Sequence, residues 1–152
     1  MTLRQLITNH EGRKSKPYKC PAGHKTIGVG WNIEANPLPD DIAAHLEKNG
    51  SITGDMIDRL LDISIRHAVA DCKVLFPTWG AIHQTRQMAL TDFVFQLGFS
   101  RARRFVKSIA AINTGRWDDA ADEMLDSAWA RQTPNRAITI TDMIRYGEDC
   151  EA

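Results

Sequence analysis

No stretch of this chain approaches the roughly 18 consecutive apolar residues needed to cross a membrane. The opening "MTLRQLITNHEGRKSK" has no apolar centre of the kind that directs export. The expectation is a cytosolic product with no membrane span and no export signal of its own. Cysteine is scarce and odd in number (Cys20, Cys72 and Cys150), which argues for free thiols over a disulfide framework. Net charge is zero, so no global excess of one sign selects a polyanionic or polycationic partner. Internal repeats, low-complexity tracts and flexible linkers are all missing, which leaves one domain of 152 residues. A chain of that size buries roughly 68–70% of its unfolded surface and needs no metal or disulfide staple.

What is present divides by periodicity. Leu3, Leu6 and Ile7 recur at helical spacing until "HEG" interrupts them, predicting a short helix that ends near Glu11. Residues 16–34 set Tyr, Thr, Ile, Val and Trp between glycines and prolines, predicting two or three short antiparallel strands. "LPDDIAAHLEKNG" reads as a helix started at Pro39-Asp40 and stopped at Asn49-Gly50. Thr53 is placed to cap a longer helix whose face carries Ile57, Leu60, Leu61, Ser64, Ile65, Ala68, Val69 and Cys72, and which Phe76-Pro77 stops. Cys72 on that stripe is packing, whereas His67 lies off it and is solvated.

The remainder reads as helices divided by "LGFS", "NTGR" and "RQTPN". Their core faces are Met88, Leu90, Phe93, Val94 and Leu97; then Val106, Ile109 and Ile112; then Trp117, Ala121, Leu125 and Trp129 as one continuing stripe. Pro134 suits the first turn of a last helix bearing Ile138, Ile140 and Met143. The expected fold is α+β and mainly helical. It has a small lobe with a β-hairpin (1–53), a connecting helix (54–76) and a helical lobe (77–152), with a ligand cleft natural between lobes.

Charge is unevenly spread. Residues 54–113 carry 8 Lys/Arg against 5 Asp/Glu, and residues 114–152 carry 4 against 9. "SRARRFVK" puts four cations within seven residues, either a solvated helix start or an attractor of anionic polymer.

The ribbon "HEGRKSKPYKCPAGHKTIGVGWNIE" holds the chemistry. Glu11 at a helix C-terminus meets partial negative charge from backbone carbonyls, a field that favours the protonated acid. A protonated carboxylic acid is what general-acid cleavage of a glycosidic bond requires. Cys20 and Thr26, on adjacent strands facing one opening, can hold a water or an intermediate. The bland alternative is a surface hairpin with incidental side chains.

Glu11, eight residues, Cys20, five residues, Thr26 and then "IGVG" resembles the catalytic signature of phage-type lysozymes, the endolysins or muramidases of glycoside hydrolase family 24. "FVFQLG" (Phe93–Gly98) and "GRWDDAADEMLDSAWARQTPNRA" (Gly115–Ala137) agree in the same order, so the resemblance spans nearly the whole chain. It implies a two-lobed lysozyme-like fold and hydrolysis of the β-1,4 bond between N-acetylmuramic acid and N-acetylglucosamine in bacterial peptidoglycan. No metal or organic cofactor is implied. Glu11 falls on the family's general acid, Cys20 on its Asp/Cys position and Thr26 on its water-orienting threonine. By the same resemblance Gly30, Gln96, Thr133, Asn135 and Arg136 bind substrate, and Arg136 matches an arginine paired with the catalytic glutamate. Read locally, Arg136 is a surface arginine in a helix's first turn.

The departure is Cys20, where aspartate is commoner. It can serve as base, as nucleophile or as holder of water, and the resemblance favours inverting hydrolysis with water activation. Competing readings are a cysteine-dependent amidase or peptidase using Cys20 with a histidine such as His24, a metal site on Cys20 and His24, and a non-catalytic wall-binding module. The implied partner is a peptidoglycan strand, with no nucleic acid. A monomer is expected, waiting in the host cytoplasm for a holin before it reaches the periplasmic wall and lyses the host.

Overall fold

The computed structural model describes residues 1–147, so Cys150, expected to be a free thiol, lies outside the described residues. The fold is a mainly helical α+β arrangement with one three-stranded antiparallel sheet among the described residues. The chain separates into two compact units. One covers Thr2–Ile65; the other covers Arg66–Ala152 together with Met1.

In the first unit, helix α1 (Leu3–Glu11) starts at Thr2. The Thr2 side chain accepts from the Gln5 amide, and the Gln5 side chain accepts from the Thr2 amide. The helix stops at Gly12, which takes φ +81° and donates its N–H to the Thr8 carbonyl at 2.8 Å. Strands β1 (Lys14–Lys19), β2 (Lys25–Gly28) and β3 (Trp31–Asn32) follow in the order β1-β2-β3, with Tyr18 opposite Thr26 and Ile27 opposite Trp31. Ile27, Val29 and Trp31 are buried with Leu6, Ile7, Ile42, Ile52, Ile57 and Leu60, so the sheet is held by one apolar face. Helix α2 (Asp40–Asn49) ends on left-handed Gly50, as the Asn49-Gly50 stop predicts. Thr53 accepts from the Met56 amide and caps α3 (Gly54–Leu75), a helix within which the boundary between units falls.

The second unit holds a 3-10 turn at Trp79–Ala81 and helices α4 (Gln84–Leu97), α5 (Phe99–Ala102), α6 (Val106–Asn113), α7 (Trp117–Leu125), α8 (Ala128–Gln132) and α9 (Pro134–Tyr146). Helix α9 packs on α4, α7 and α8, and its inward residues Ile140, Met143 and Ile144 are fully buried. Phe93 meets Phe105 and Trp129 edge-on at centroid separations of 5.0 and 4.8 Å. Cys72 is buried as expected, and desolvation pushes its thiol up to about 12. His67 is exposed.

Four expectations are corrected. The stripe from Trp117 to Trp129 is two helices, broken at Asp126-Ser127, and Leu125 is exposed. "SRARRFVK" is not a helix start: it spans the end of α5, a turn and the start of α6. Val106 and Ile138, read as core, are 70% and 52% exposed, because each lies on the solvent side of a helix whose other face is already filled. Arg136 is buried in the first turn of α9, where Asp92 of α4 accepts from its guanidinium, so it is no surface arginine.

Candidate active site

Glu11 occupies the last position of α1 and is half-buried. Gly30, at φ +69° in the β2–β3 turn, lies against it. A Cβ on Gly30 would stand 3.2 Å from Glu11 Oε2 and 3.3 Å from its carboxyl carbon. The absent side chain at position 30 is therefore the space the carboxyl occupies.

Cys20 does not lie in a strand. It closes the turn after β1, donating its N–H to the His24 carbonyl at 2.9 Å and accepting from the Gly23 amide at 2.8 Å. That turn curls amides around the sulfur. The His24 backbone does most to hold the thiol below its ordinary range; partial desolvation opposes it, and Ala22, the Thr26 hydroxyl and Gly23 add to the lowering. Thr26 is 3% exposed, and its hydroxyl donates to the His24 carbonyl at 2.9 Å. Cys20 and Thr26 thus share the His24 peptide as a common support, and each lies within hydrogen-bonding reach of the other.

Tyr18 is a residue the spacing argument missed. It is the register partner of Thr26 across β1 and β2, and it is half-buried. Burial raises the pKa of its phenol, and the negative charges of Glu11 and Cys20 raise it further. Its signal in the sequence was position: it stands in the predicted ribbon two residues before Cys20, on the strand that pairs with the one carrying Thr26. The four residues Glu11, Tyr18, Cys20 and Thr26, with Gly30, form one group in the first unit. The His24 ring belongs elsewhere, since its Nδ1 lies 3.3 Å from Glu34 Oε2.

The residues expected on the helical side form their own group. Gln96 accepts from the Trp129 indole N–H at 2.7 Å and donates to the Thr133 hydroxyl at 3.4 Å. Thr133 in turn donates to the Trp129 carbonyl at 3.1 Å. Asn135 stands in the exposed first turn of α9, its carbonyl accepting from Thr139. Arg136, one residue on, bonds to Asp92, which is completely buried. Asp92 was not anticipated, because an acid inside the apolar run "MALTDFVFQL" has its partner 44 residues away.

Comparison with known proteins adds the following. The family model described as "Phage lysozyme" matches residues 8–140. A protein described as probable T4-type lysozyme 2 of Dictyostelium discoideum is 28% identical, covering 96% of this chain and 95% of its own length. Probable T4-type lysozyme 1 of the same organism is also 28% identical, over 96% and 95%. The pre-baseplate central spike protein Gp5 of Enterobacteria phage T4 is 29% identical over 97% of this chain, and the match spans only 28% of Gp5.

Proposed function

The chain belongs to the phage lysozyme family, and on that premise we propose that it is a muramidase cutting the β-1,4 bond between N-acetylmuramic acid and N-acetylglucosamine. The observation that carries this reading is the Glu11 carboxyl packed on a side-chain-free Gly30, in the same unit as a sulfur and a hydroxyl braced on one peptide. In this mechanism Glu11 gives its proton to the glycosidic oxygen as the bond from that oxygen to the muramic anomeric carbon breaks. A water held by Thr26 attacks that carbon from the opposite face, and its proton passes to the Cys20 sulfur, whose turn favours the thiolate. The outcome is inversion. Gln96, Thr133, Asn135 and Arg136 are proposed to bind the glycan and its substituents.

The test is product analysis on purified peptidoglycan. A muramidase releases reducing muramic acid ends, whereas a thiol amidase or peptidase releases new amines. The engagement of the His24 ring with Glu34 disfavours the second outcome. Glu11→Gln fills the same space without a donatable proton, so the purified variant is expected to keep its circular dichroism and lose wall lysis. Substantial lysis by that variant overturns the assignment.

The biological reading is proposed from membership of the family. The chain acts as a monomer on the host wall and depends on a holin to leave the cytoplasm. Expression inside a bacterium should give lysis only with a co-expressed membrane-permeabilising protein. Prompt lysis by the chain alone would sink that part of the reading.

A further inference from the structure

Cys20 and Thr26 are braced on a turn that packing does not hold. Pro21, Ala22, Gly23, His24 and Lys25 are all exposed. A segment without buried apolar contacts and with exposed hydrogen bonds opens readily. Yet residue 24 carries much of the site. Its carbonyl accepts from the Cys20 amide and from the Thr26 hydroxyl, both at 2.9 Å. Its own N–H is the largest influence favouring the Cys20 thiolate. A shift of this one residue therefore moves sulfur and hydroxyl together.

Glu34 supplies a hold from outside the turn. Its Oε1 accepts from the Lys25 amide and its Oε2 meets His24 Nδ1, at 3.3 Å each. The carbonyl and N–H of a trans peptide point to opposite edges of one plane, and no described peptide is cis. The peptide joining His24 to Lys25 thus has Cys20 and Thr26 on one edge and the Glu34 carboxylate on the other. An anionic acceptor on the N–H also polarises the peptide and strengthens its carbonyl as an acceptor. Glu34 itself stands on a fixed base. It follows β3 in a turn where the Asn32 side chain accepts from the Ala35 amide at 3.1 Å and the Asn32 carbonyl accepts from the Asn36 amide at 2.9 Å. The Asn36 carbonyl accepts from the indole of buried Trp31 at 2.9 Å. Stability gives little reason for the pair. The His24 and Glu34 side chains are 53% and 56% exposed, and ion pairs so exposed contribute little.

We infer that Glu34 is a positioning residue: by gripping the His24 ring and the Lys25 amide, it fixes the peptide on which Cys20 and Thr26 are braced. The inference rests on the muramidase reading and deepens it. Glu34 touches neither reacting group, and it sets the geometry of the water-handling half of the site through one shared peptide.

The experiment compares Glu34→Ala and Glu34→Gln with the parent by two readouts. The first is the pH dependence of iodoacetamide alkylation at Cys20, read by peptide mapping so that other thiols do not interfere. Here position and charge act with opposite sign. Losing a nearby negative charge alone lowers a thiol's pKa, whereas loosening the His24 amide raises it. Glu34→Ala is expected to move the Cys20 midpoint upward by at least about half a unit. Glu34→Gln keeps an oxygen for the Lys25 amide and a polar partner for the ring, so its midpoint should lie at or below the parent's. The second readout is reducing-end release from soluble glycan. Glu34→Ala should lower kcat at least roughly fivefold with KM within about twofold of the parent, and Glu34→Gln should keep kcat within about twofold.

A Cys20 midpoint in Glu34→Ala that is unchanged or lower overturns the inference. So does a Gln variant as impaired as the Ala variant, which would mean that charge alone matters. A rise in KM with unchanged kcat also overturns it, since Glu34 would then be touching glycan. If the parent releases no reducing ends from any substrate, the muramidase reading fails, and the alkylation midpoints still decide whether Glu34 fixes the turn.

Discussion

At the scale of single residues, Thr26 is limited by having one proton to give. It donates to the His24 carbonyl, which leaves its oxygen lone pairs to accept from the Cys20 thiol or from a water. Turning that hydroxyl toward a thiolate reverses the arrangement, so the charge on sulfur and the direction of Thr26 are coupled. Thr26→Val keeps the shape and removes the hydroxyl. Turnover at saturating substrate should fall at least roughly tenfold, about 1.4 kcal/mol of barrier. Unchanged turnover would take Thr26 out of the mechanism. Cys20 supplies the pH prediction. Its thiol is held below the ordinary range, chiefly by the His24 amide, so the base-dependent rising limb should lie on the acid side of a free thiol's. Cys20→Asp replaces it with a group that ionises near pH 4, keeping substantial activity while moving that limb to lower pH. Cys20→Ala should lose most activity. A limb that stays in place in the Asp variant assigns it to another group.

At the scale of elements, the hydrogen bonds of short-range caps were legible and the ends of stripes were not. Thr53 and Pro134 could be read as starts because capping is a local bargain between a side chain and the next turn. The gap between α7 and α8 was missed because Trp117, Ala121, Leu125 and Trp129 keep helical spacing straight through it. The break is written in Ser127, which accepts from the Ala130 amide at 3.2 Å and donates to the Met124 carbonyl at 2.6 Å. Ser127→Ala should therefore cost about 1 kcal/mol, read as a fall of roughly 2–4 °C in Tm. No shift in Tm would mean that the aromatic packing of Trp129 alone fixes α8. Likewise the Glu11–Cys20–Thr26 spacing marked candidate residues, while Tyr18 and Asp92 stayed hidden, since cross-strand register and a buried long-range pair leave no local pattern. The turn at Gly30 makes a sharper test. An alanine there needs a left-handed backbone and pushes a methyl group onto the Glu11 carboxyl. Gly30→Ala should lose activity by more than roughly tenfold while costing only about 1 kcal/mol of stability. Loss in proportion to unfolding would show that Gly30 serves the turn alone.

At the scale of the whole molecule, Cys72 should make stability decline in alkali. The Cys72 thiol titrates near 12 when folded, against an ordinary value near 9.0, so the folded protein holds that proton more tightly than the unfolded chain. Its contribution is complete below about pH 9 and is lost as pH rises toward 12, with a limiting slope of about 1.4 kcal/mol per pH unit. Cys72→Ala loses some packing at every pH and should flatten that alkaline decline; an equally steep decline would point to other groups. The protein also carries its own optical instrument. Its tryptophans sit in unlike settings: Trp31 bonded to the Asn36 carbonyl, Trp79 stacked on Phe76, Trp117 beneath the Arg86 guanidinium, and Trp129 sealed between phenylalanine rings with its N–H on Gln96. A glycan that recruits the Gln96 amide must disturb the indole bonded to it, so substrate engagement should change the colour of the protein's own fluorescence, with no label attached.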